Sequence, residues 1–188
     1  MPPLRDLADR TGIRVGTCVN RRAFENDPAY RDVLAREFNI VTPENVMKPG
    51  PIHPEPDRYD FAAADVLVAF AEEHGMQVHG HTLVWHEQNP AWLTDGMWTR
   101  STLLDAMREH ISAVAGRYRG RVHIWDVLNE AIVSEGSALR PTLWHETVGP
   151  DYIDHAFRWA HEADPSARLF YNDFGADGIN EKSDAIYA

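Results

Sequence analysis

The chain has 188 residues, of which 18 are lysine or arginine and 29 are aspartate or glutamate, for a formal net charge of −11. That length suits one sizeable core and argues against two full domains, so we expect a single domain over residues 1–188. The acidity argues against a nucleic-acid or anionic-membrane partner, because phosphate groups attract an excess of lysine and arginine. The single cysteine, Cys18, excludes an intrachain disulfide.

The sequence indicates neither a membrane span nor a signal peptide. No stretch approaches the roughly 18 consecutive apolar residues that a membrane-spanning helix needs. The first ten residues, MPPLRDLADR, carry charges where a signal peptide has its apolar region. As written, the chain is therefore expected to be cytoplasmic, and a secreted protein whose N-terminus had been trimmed would have the same appearance.

Short apolar runs alternate with helical patterns along the chain. Asp27 and Pro28 favour a helix start at that point, and Gly75 and Gly116 favour helix ends. The predicted strands span residues 13–19, 38–42, 77–85, 122–128 and 168–174. The predicted helices span residues 28–37, 60–74, 101–115, 151–163 and 181–188.

Alternating strands and helices predict a parallel sheet, closed either as a doubly wound open sheet or as a (β/α)8 barrel. No GxGxxG or GxxxxGK[ST] pattern opens the first helix, so dinucleotide and P-loop chemistry have no support. Polar residues follow each predicted strand, which is the arrangement of a barrel active site. They include Asn20, Glu44, Asn45, Lys48, residues 81–88, Asn129, Glu130, Asn172 and Asp173.

Residues 123–130, HIWDVLNE, form an apolar strand that ends abruptly in an amide and a carboxyl. A carboxyl at the rim of an apolar strand is partly desolvated, which suits Glu130 to general acid chemistry near neutral pH. Asn129 beside it could bind a substrate hydroxyl. From the pattern alone, an exposed glutamate that caps the following segment is an equal alternative.

Residues 79–89, HGHTLVWHEQN, combine three histidines with a tryptophan. His79 and His81 lie two apart on a strand, so they point the same way. A polar wall beside the flat Trp85 ring would suit a sugar, whereas His79, His81 and His86 would suit Zn²⁺. Buried, hydrogen-bonded histidines are the ordinary alternative, and without a nearby carboxylate ligand set we expect no metal.

Residues 42–48, TPENVMK, offer an acceptor, a mixed group and a donor within one loop. Glu44, Asn45 and Lys48 would suit several hydroxyl groups, although a solvated turn before the next helix would have the same composition. Taken with the six tryptophans of the chain, the three segments favour an uncharged, polyhydroxylated ligand.

Four segments, in this order, resemble motifs of glycoside hydrolase family 10, the endo-1,4-β-xylanases. Residues 42–48 are similar to the second-strand motif, 79–88 to the third, 125–130 (WDVLNE) to the fourth and 171–173 (YND) to the fifth. The resemblance implies a (β/α)8 TIM barrel. Glu44, His81, Glu130 and Asn172 are 37, 49 and 42 residues apart. At roughly 40 residues per βα unit, the chain supplies about the first five of eight units.

The resemblance implies retaining hydrolysis of internal β-1,4 bonds in xylan or xylooligosaccharides, with no cofactor and no metal. Glu130 would be the general acid/base, and Asn129 would bind the 2-hydroxyl of the sugar at the cleavage subsite. Other implied substrate-binding residues are His81 and Trp85 at that subsite, Glu44, Asn45 and Lys48 on the non-reducing side, and Gln88 and Asn172 at the periphery.

The nucleophile of the family is a second glutamate, in a Thr-Glu-Leu-Asp type motif on the seventh strand. No such motif occurs in this sequence. A retaining enzyme needs that second carboxylate to form its covalent glycosyl intermediate. We therefore expect the 188-residue chain alone to be inactive, although it carries the acid/base.

Three other functions stay open on the sequence: a metal-dependent barrel hydrolase, a non-catalytic carbohydrate-binding fragment and a glucan-active relative on the same barrel. A five-stranded parallel sheet that is not closed exposes unpaired strand edges and apolar helix faces. We therefore also expect poor solubility or self-association of the isolated chain.

Overall fold

Five parallel strands form one sheet, and their order along the chain is also their order in space. The computed structural model describes residues 2–187. Its strands are β1 (Gly16–Val19), β2 (Ile40–Pro43), β3 (Gln77–Val84), β4 (Ile124–Asn129) and β5 (Arg168–Asn172), paired in the order β1-β2-β3-β4-β5. A doubly wound sheet reverses its order at a switch point, whereas a barrel does not. The structure therefore confirms the barrel-type fold for five strands.

Each of the first four strands leads into a short helix, and a longer helix then returns the chain to the start of the next strand. The helix α1 (Leu4–Thr11) precedes β1. The short helices are α2 (Arg21–Asn26), α4 (Pro49–Ile52), α6 (Ala91–Thr94) and α8 (Leu143–Val148). The longer ones are α3 (Pro28–Glu37), α5 (Ala62–Glu73), α7 (Arg100–Arg117) and α9 (Tyr152–Ala163), and α10 (Glu181–Tyr187) follows β5. Among the helices of residues 2–187, none has both the length and the apolar character needed to cross a membrane.

The predicted longer helices are all present, and their ends differ for local reasons. Asp27 caps α3 as expected, since its Oδ1 accepts from Ala29 N at 2.9 Å. Helix α7 begins earlier than predicted because Thr99 forms a capping box with Thr102. It also continues through Gly116, so the predicted end there is wrong: a glycine ends a helix only where the backbone turns left-handed. Residue 188, the end of the last predicted helix, lies outside the described residues.

The first two strands begin later than the sequence predicts. Before β1, the Asn39 side chain makes hydrogen bonds that a neighbouring strand would otherwise make. Asn39 is buried, its Oδ1 accepts from Val15 N at 2.8 Å, and its Nδ2 donates to Ile13 O at 3.2 Å. Just before β1, Val15 N and Ile13 O are thus satisfied by the Asn39 side chain, while Val15 O accepts from Asn39 N at 3.1 Å. The fifth strand ends at Asn172, because Phe174 N donates to the Asp173 side chain at 2.9 Å.

Strands β3 and β4, called the central strands below, pack closely against each other. All six residues of β4 are buried. Trp125 of β4 is fully buried against Gly80 of β3, where an added Cβ would lie 2.3 Å from the indole ring. Glycine at position 80 therefore permits the close approach that brings the carboxyl ends of β3 and β4 together.

Candidate functional site

Glu130 is the first residue after β4, which ends at Asn129. Its Oε2 accepts a hydrogen bond from Trp85 Nε1 at 3.1 Å and lies 4.0 Å from His86 Nε2. The side chain is 22% exposed, so the carboxyl is accessible from outside the protein. An indole N–H only donates, and a carboxyl oxygen can accept from it in either protonation state. The contact therefore holds the group in place without fixing its charge, as an acid/base requires.

Trp85 is held by contacts from its own loop, from α8 and from the segment after β2. Its backbone oxygen accepts from Trp144 Nε1 at 2.8 Å and from Asn89 Nδ2 at 3.0 Å. The Lys48 ammonium lies 4.8 Å from the centre of the indole ring, within the range of a cation–π contact. The ring is therefore a rigid floor that joins the segment after β2 to Glu130.

Two asparagines from adjacent strands lie beside the carboxyl. One end of the Asn129 side-chain amide is 2.8 Å from Asn172 Nδ2, and the other end is 3.0 Å from Trp85 Nε1. Asn129 is buried, whereas Asn172 is exposed. The strands β4 and β5 thus supply a polar pair next to Glu130.

The loop after β2 carries the three polar residues expected to bind sugar hydroxyls. Lys48 is buried, and its Nζ donates to Asn45 Oδ1 at 2.9 Å. Glu44 is exposed, and its Oε2 accepts from Asn20 Nδ2 at 2.8 Å. Asn20 also caps α2, since its Oδ1 accepts from Ala23 N. The loop is therefore pre-organised by its own side chains and by the segment after β1.

A buried carboxylate holds the two histidines of β3. Asp126 Oδ1 is 2.8 Å from His79 Nε2, and Asp126 Oδ2 is 2.8 Å from His81 Nδ1. Burial opposes the charge on Asp126, but the hydrogen bonds from both imidazoles outweigh it, and the pKa of Asp126 lies below its ordinary value. An ionised carboxylate only accepts, so each of these nitrogens carries its proton, which fixes the tautomer and the orientation of both rings.

His86 also lies near the Glu130 carboxyl, but unlike His79 and His81 it makes no hydrogen bond to Asp126. Burial lowers the pKa of His86, and the nearby Arg140 charge lowers it further against the opposing effect of Glu130. The imidazole is therefore neutral near neutral pH, so it places no second charge beside the carboxyl.

The three histidines considered as metal ligands do not lie around one point, because they contact two different carboxyl groups. His79 and His81 both bind Asp126, as the ordinary alternative of buried, hydrogen-bonded histidines describes, and His86 lies beside Glu130. Within residues 2–187, no group of three or more His, Cys, Asp and Glu side chains is arranged to hold a metal ion.

Gln88 occupies the rim of this group rather than its centre. It is exposed, and its loop is held through its backbone, since Gly50 N donates to Gln88 O at 2.7 Å. A Cβ at position 50 would lie 2.6 Å from that oxygen, so the contact requires glycine. The other predicted site residues meet at the carboxyl ends of the strands through the contacts above: Glu44, Asn45, Lys48, His81, Trp85, Asn129, Glu130 and Asn172.

Two residues that shape the site were not predicted from the sequence. Asp126 had a usable signal, because a carboxylate in the middle of an apolar strand needs buried partners. Arg140 had none, since it lies ten residues after Glu130 in an irregular segment and binds backbone oxygens; its Nε donates to Glu130 O at 3.0 Å.

Comparison with known proteins gives relatives that match nearly the whole chain. The chain is 47% identical to endo-1,4-beta-xylanase B of Thermotoga neapolitana over 187 residues, which are 98% of this chain and 54% of that protein. It is 45% identical to endo-1,4-beta-xylanase A of Xylanibacter ruminicola, over 98% of this chain and 51% of that protein. The chain thus spans about half the length of the curated relatives it matches.

Solved structures give the same result. The crystal structure of native xylanase 10B from Thermotoga maritima superimposes with a TM-score of 0.95 at 49% identity, over 98% of this chain and 57% of that one. Xylanase 10B from Thermotoga petrophila, solved in complex with xylobiose, superimposes with a TM-score of 0.96 at 48% identity, over 100% of this chain and 57% of that one. The model of the family described as glycosyl hydrolase family 10 matches residues 3–188. The chain therefore belongs to glycosyl hydrolase family 10.

Proposed function

We propose that this chain is the part of an endo-1,4-β-xylanase that carries the general acid/base and the glycone side of the substrate cleft. The observation that carries the proposal is the Glu130 carboxyl, which is held by Trp85 Nε1 at 3.1 Å and is 22% exposed. The relatives at 47% and 45% identity, both called endo-1,4-beta-xylanases, support xylan as the substrate.

Glu130 acts first as an acid and then as a base. It donates a proton to the glycosidic oxygen as the bond to the leaving sugar breaks, and later takes a proton from the water that attacks C1. The Trp85 N–H keeps one oxygen of the carboxyl in place through both steps. Because burial lowers the pKa of His86, its imidazole is neutral near neutral pH and adds no positive charge beside Glu130.

The polar residues around Glu130 bind hydroxyl groups of the sugar chain. Asn129 and Asn172 lie next to the carboxyl and bind the 2-hydroxyl at the cleavage subsite and groups further out. Glu44, Asn45 and Lys48 bind the adjacent xylose on the non-reducing side, where Glu44 accepts and the Lys48 ammonium donates. Trp85, a residue that is only 7% exposed, forms the floor of the binding site.

The reaction retains the anomeric configuration and needs a nucleophile that the 188 residues do not supply. In a retaining glycosidase, a second carboxylate about 5–5.5 Å from the acid/base attacks C1 and forms a glycosyl-enzyme. The Thr-Glu-Leu-Asp type motif that would bring it is absent from the sequence. The chain alone therefore binds xylooligosaccharides without turning them over.

The test compares the 188-residue chain with a fused protein. In the fused protein, the chain is joined to the segment that follows the matched region in the Thermotoga neapolitana relative. Release of reducing sugar from xylan is measured for both, with carboxymethyl cellulose as the competing substrate. We expect activity on xylan from the fused protein and none from the chain alone.

Two controls decide the outcome. Glu130→Ala in the fused protein should lower kcat/KM on xylan by about 10²–10⁴-fold, the usual contribution of a general acid/base. Glu135→Ala, which alters an exposed carboxyl five residues away, should leave it unchanged. Release of sugar by the chain alone that is lost in Glu130→Ala would contradict the missing nucleophile, and a preference for carboxymethyl cellulose would contradict the substrate.

A further inference from the structure

Glu130 has a backbone conformation that L-amino acids rarely adopt. Its φ is +57°, and Gln88 is the other non-glycine residue of positive φ in the described part of the chain. A glutamate has no side-chain group that favours this left-handed region, so surrounding contacts must hold it there. The direction of the Glu130 side chain depends on that conformation.

Five hydrogen bonds hold the backbone of residues 130–132, and three of them come from Arg140. Arg140 Nε donates to Glu130 O at 3.0 Å, Arg140 N donates to Ala131 O at 2.7 Å, and Arg140 Nη2 donates to Ile132 O at 3.0 Å. The other two join the turn to the neighbouring strand: Glu130 N donates to Asn172 O at 2.9 Å, and Ile132 N donates to Tyr171 Oη at 3.2 Å.

The chain is folded back on itself so that Arg140 can reach the turn. Ile132 pairs with Leu139 in an antiparallel bridge, and Val133 N donates to Ala138 O at 3.0 Å. This short hairpin returns Arg140 to the position beneath Glu130. The planar guanidinium then spans two carbonyl oxygens two residues apart, which a single ammonium group does not do in the same geometry.

We propose that Arg140 is a positioning residue for the acid/base: it clamps the left-handed turn at Glu130 and so keeps the carboxyl on Trp85 Nε1. Its importance for catalysis rests on the proposed function of Glu130. The clamp acts on the backbone of the turn, and Arg140 touches neither the Glu130 carboxyl nor the ligand-facing groups through the contacts described. Its role is therefore in the placement of the reacting group rather than in the proton transfer.

The test follows the Trp85 indole N–H of the 188-residue chain by ¹⁵N–¹H NMR while the pH is changed. Because Trp85 Nε1 donates to Glu130 Oε2, its chemical shift should move as Glu130 titrates. Trp85→Phe assigns the resonance, and Glu130→Gln should abolish the movement. In Arg140→Gln, the carboxyl leaves the indole, and we expect the amplitude of the movement to fall to less than half.

The conservative variant separates geometry from charge. Arg140→Lys keeps the positive charge but loses the planar guanidinium that spans the two carbonyl oxygens. The amplitude of the indole movement in this variant should therefore lie between those of the wild type and Arg140→Gln. Arg158→Gln makes the same chemical change at an exposed arginine of α9 and should leave the titration unaltered. If Arg140→Gln does not yield a folded chain, Arg140→Lys decides the matter by the same criterion.

A wild-type amplitude in Arg140→Gln, or in Arg140→Lys when the glutamine variant does not fold, would overturn the proposal. A movement that keeps its full amplitude in Glu130→Gln would contradict the contact between Trp85 Nε1 and Glu130, which the clamp is proposed to maintain. These outcomes are independent of turnover. Failure of the fused protein to hydrolyse xylan would contradict the proposed function. The NMR spectra of the 188-residue chain would still show whether Arg140 clamps the turn.

Discussion

In β4 every residue from Ile124 to Asn129 is buried, whereas in its neighbour β5 the exposed and partly buried residues alternate. Strand β4 pairs on both sides, with β3 and with β5, but β5 pairs with β4 alone among the described strands. Phe170 of β5 is 42% exposed, and Phe174 just beyond it is 50% exposed. The contrast is one of position in the sheet, since both strands come from similar apolar runs.

The difference matters because the candidate site depends on the central strands for precision. Asp126 of β4 fixes His79 and His81 of β3, and Glu130 stands where β4 ends. A buried strand paired on both sides has few alternative positions, so groups at its end can be held within fractions of an ångström. The neighbouring strand β5 contributes Asn172, which is exposed.

The largest effect is expected from the buried carboxylate at the centre. Asp126→Ala leaves two imidazole N–H groups without their acceptor and should lower the free energy of unfolding by about 3 kcal/mol or more. Urea denaturation followed by circular dichroism measures it. Asp177→Ala, in an exposed loop, should change stability by no more than about 0.5 kcal/mol. If Asp126→Ala lowered the free energy of unfolding by less than about 1 kcal/mol, the prediction that β3 and β4 depend on this buried carboxylate would be contradicted.

A single methyl group tests the close approach of the central strands. The Trp125 ring is buried and rigid, so Gly80→Ala should cost about 1–3 kcal/mol of unfolding free energy. Gly116→Ala is the matched control: nothing lies within 4 Å of its added Cβ, and it sits within helix α7. That change should stabilise the chain by about 0.5–1 kcal/mol. Effects of the same sign at both glycines would contradict the described packing.

A pair of buried histidines makes the interior sensitive to acid. The Nδ1 atoms of His53 and His110 are 3.1 Å apart, and His53 Nε2 lies 3.0 Å from Pro56 O. A carbonyl only accepts, so His53 carries its proton on Nε2, and its Nδ1 accepts from His110. Burial lowers the pKa of both imidazoles, and burial together with the neighbouring His53 lowers the pKa of His110 to about 3.

The expected pH dependence follows from these lowered pKa values. Between the ordinary pKa of 6.5 and a pKa of about 3, the unfolded state binds a proton at His110 that the folded state does not. Stability should therefore fall as the pH drops below about 6.5, by up to about 1.4 kcal/mol per pH unit for this proton. His110→Leu should make the measured slope shallower by about one proton, and His161→Gln, at an exposed histidine, should not. Equal slopes in all three proteins would rule out the buried neutral pair.

The smallest effect on stability is expected at the edge. Phe170→Lys should lower the free energy of unfolding by about 1 kcal/mol or less, since the ring packs on His79 and Arg168, while reducing self-association, because a lysine on an edge strand opposes pairing. Light scattering over a concentration series measures the apparent mass. Met97→Lys, at a fully exposed residue between α6 and α7, should leave association unchanged. A stable monomer before any substitution would contradict the prediction of an associating edge.

Local sequence was enough to predict the strands and the polar ends because both are properties of a few consecutive residues. The run HIWDVLNE contains a buried strand and the carboxyl that follows it, and α3 begins at the predicted Asp27 and Pro28. The short helices α2, α4, α6 and α8 were not predicted, since four to six residues are too few to show a helical period. The predicted helix end at Gly116 was wrong, because the sequence does not show whether the backbone of a glycine is helical or left-handed.

The contacts that orient the site could not be read from the chain, because each joins residues far apart in sequence. His53 and His110 are 57 residues apart, and Trp85 and Glu130 are 45 residues apart. Arg140 acts on backbone oxygens, for which no sequence pattern exists. The sequence therefore predicted which residue types stand at the rim, whereas their hydrogen-bond partners depended on the register of β3 against β4.

The role of Glu130 as a proton donor is tested most directly in the fused protein. Glu130→Ala is assayed on xylan and on an aryl β-xylobioside whose leaving group departs without protonation, with and without azide. If Glu130 is the proton donor, kcat/KM should fall by about 10²–10⁴-fold on xylan and far less on the aryl substrate, and azide should restore activity and give the β-glycosyl azide. Equal losses on both substrates, with no effect of azide, would contradict that role.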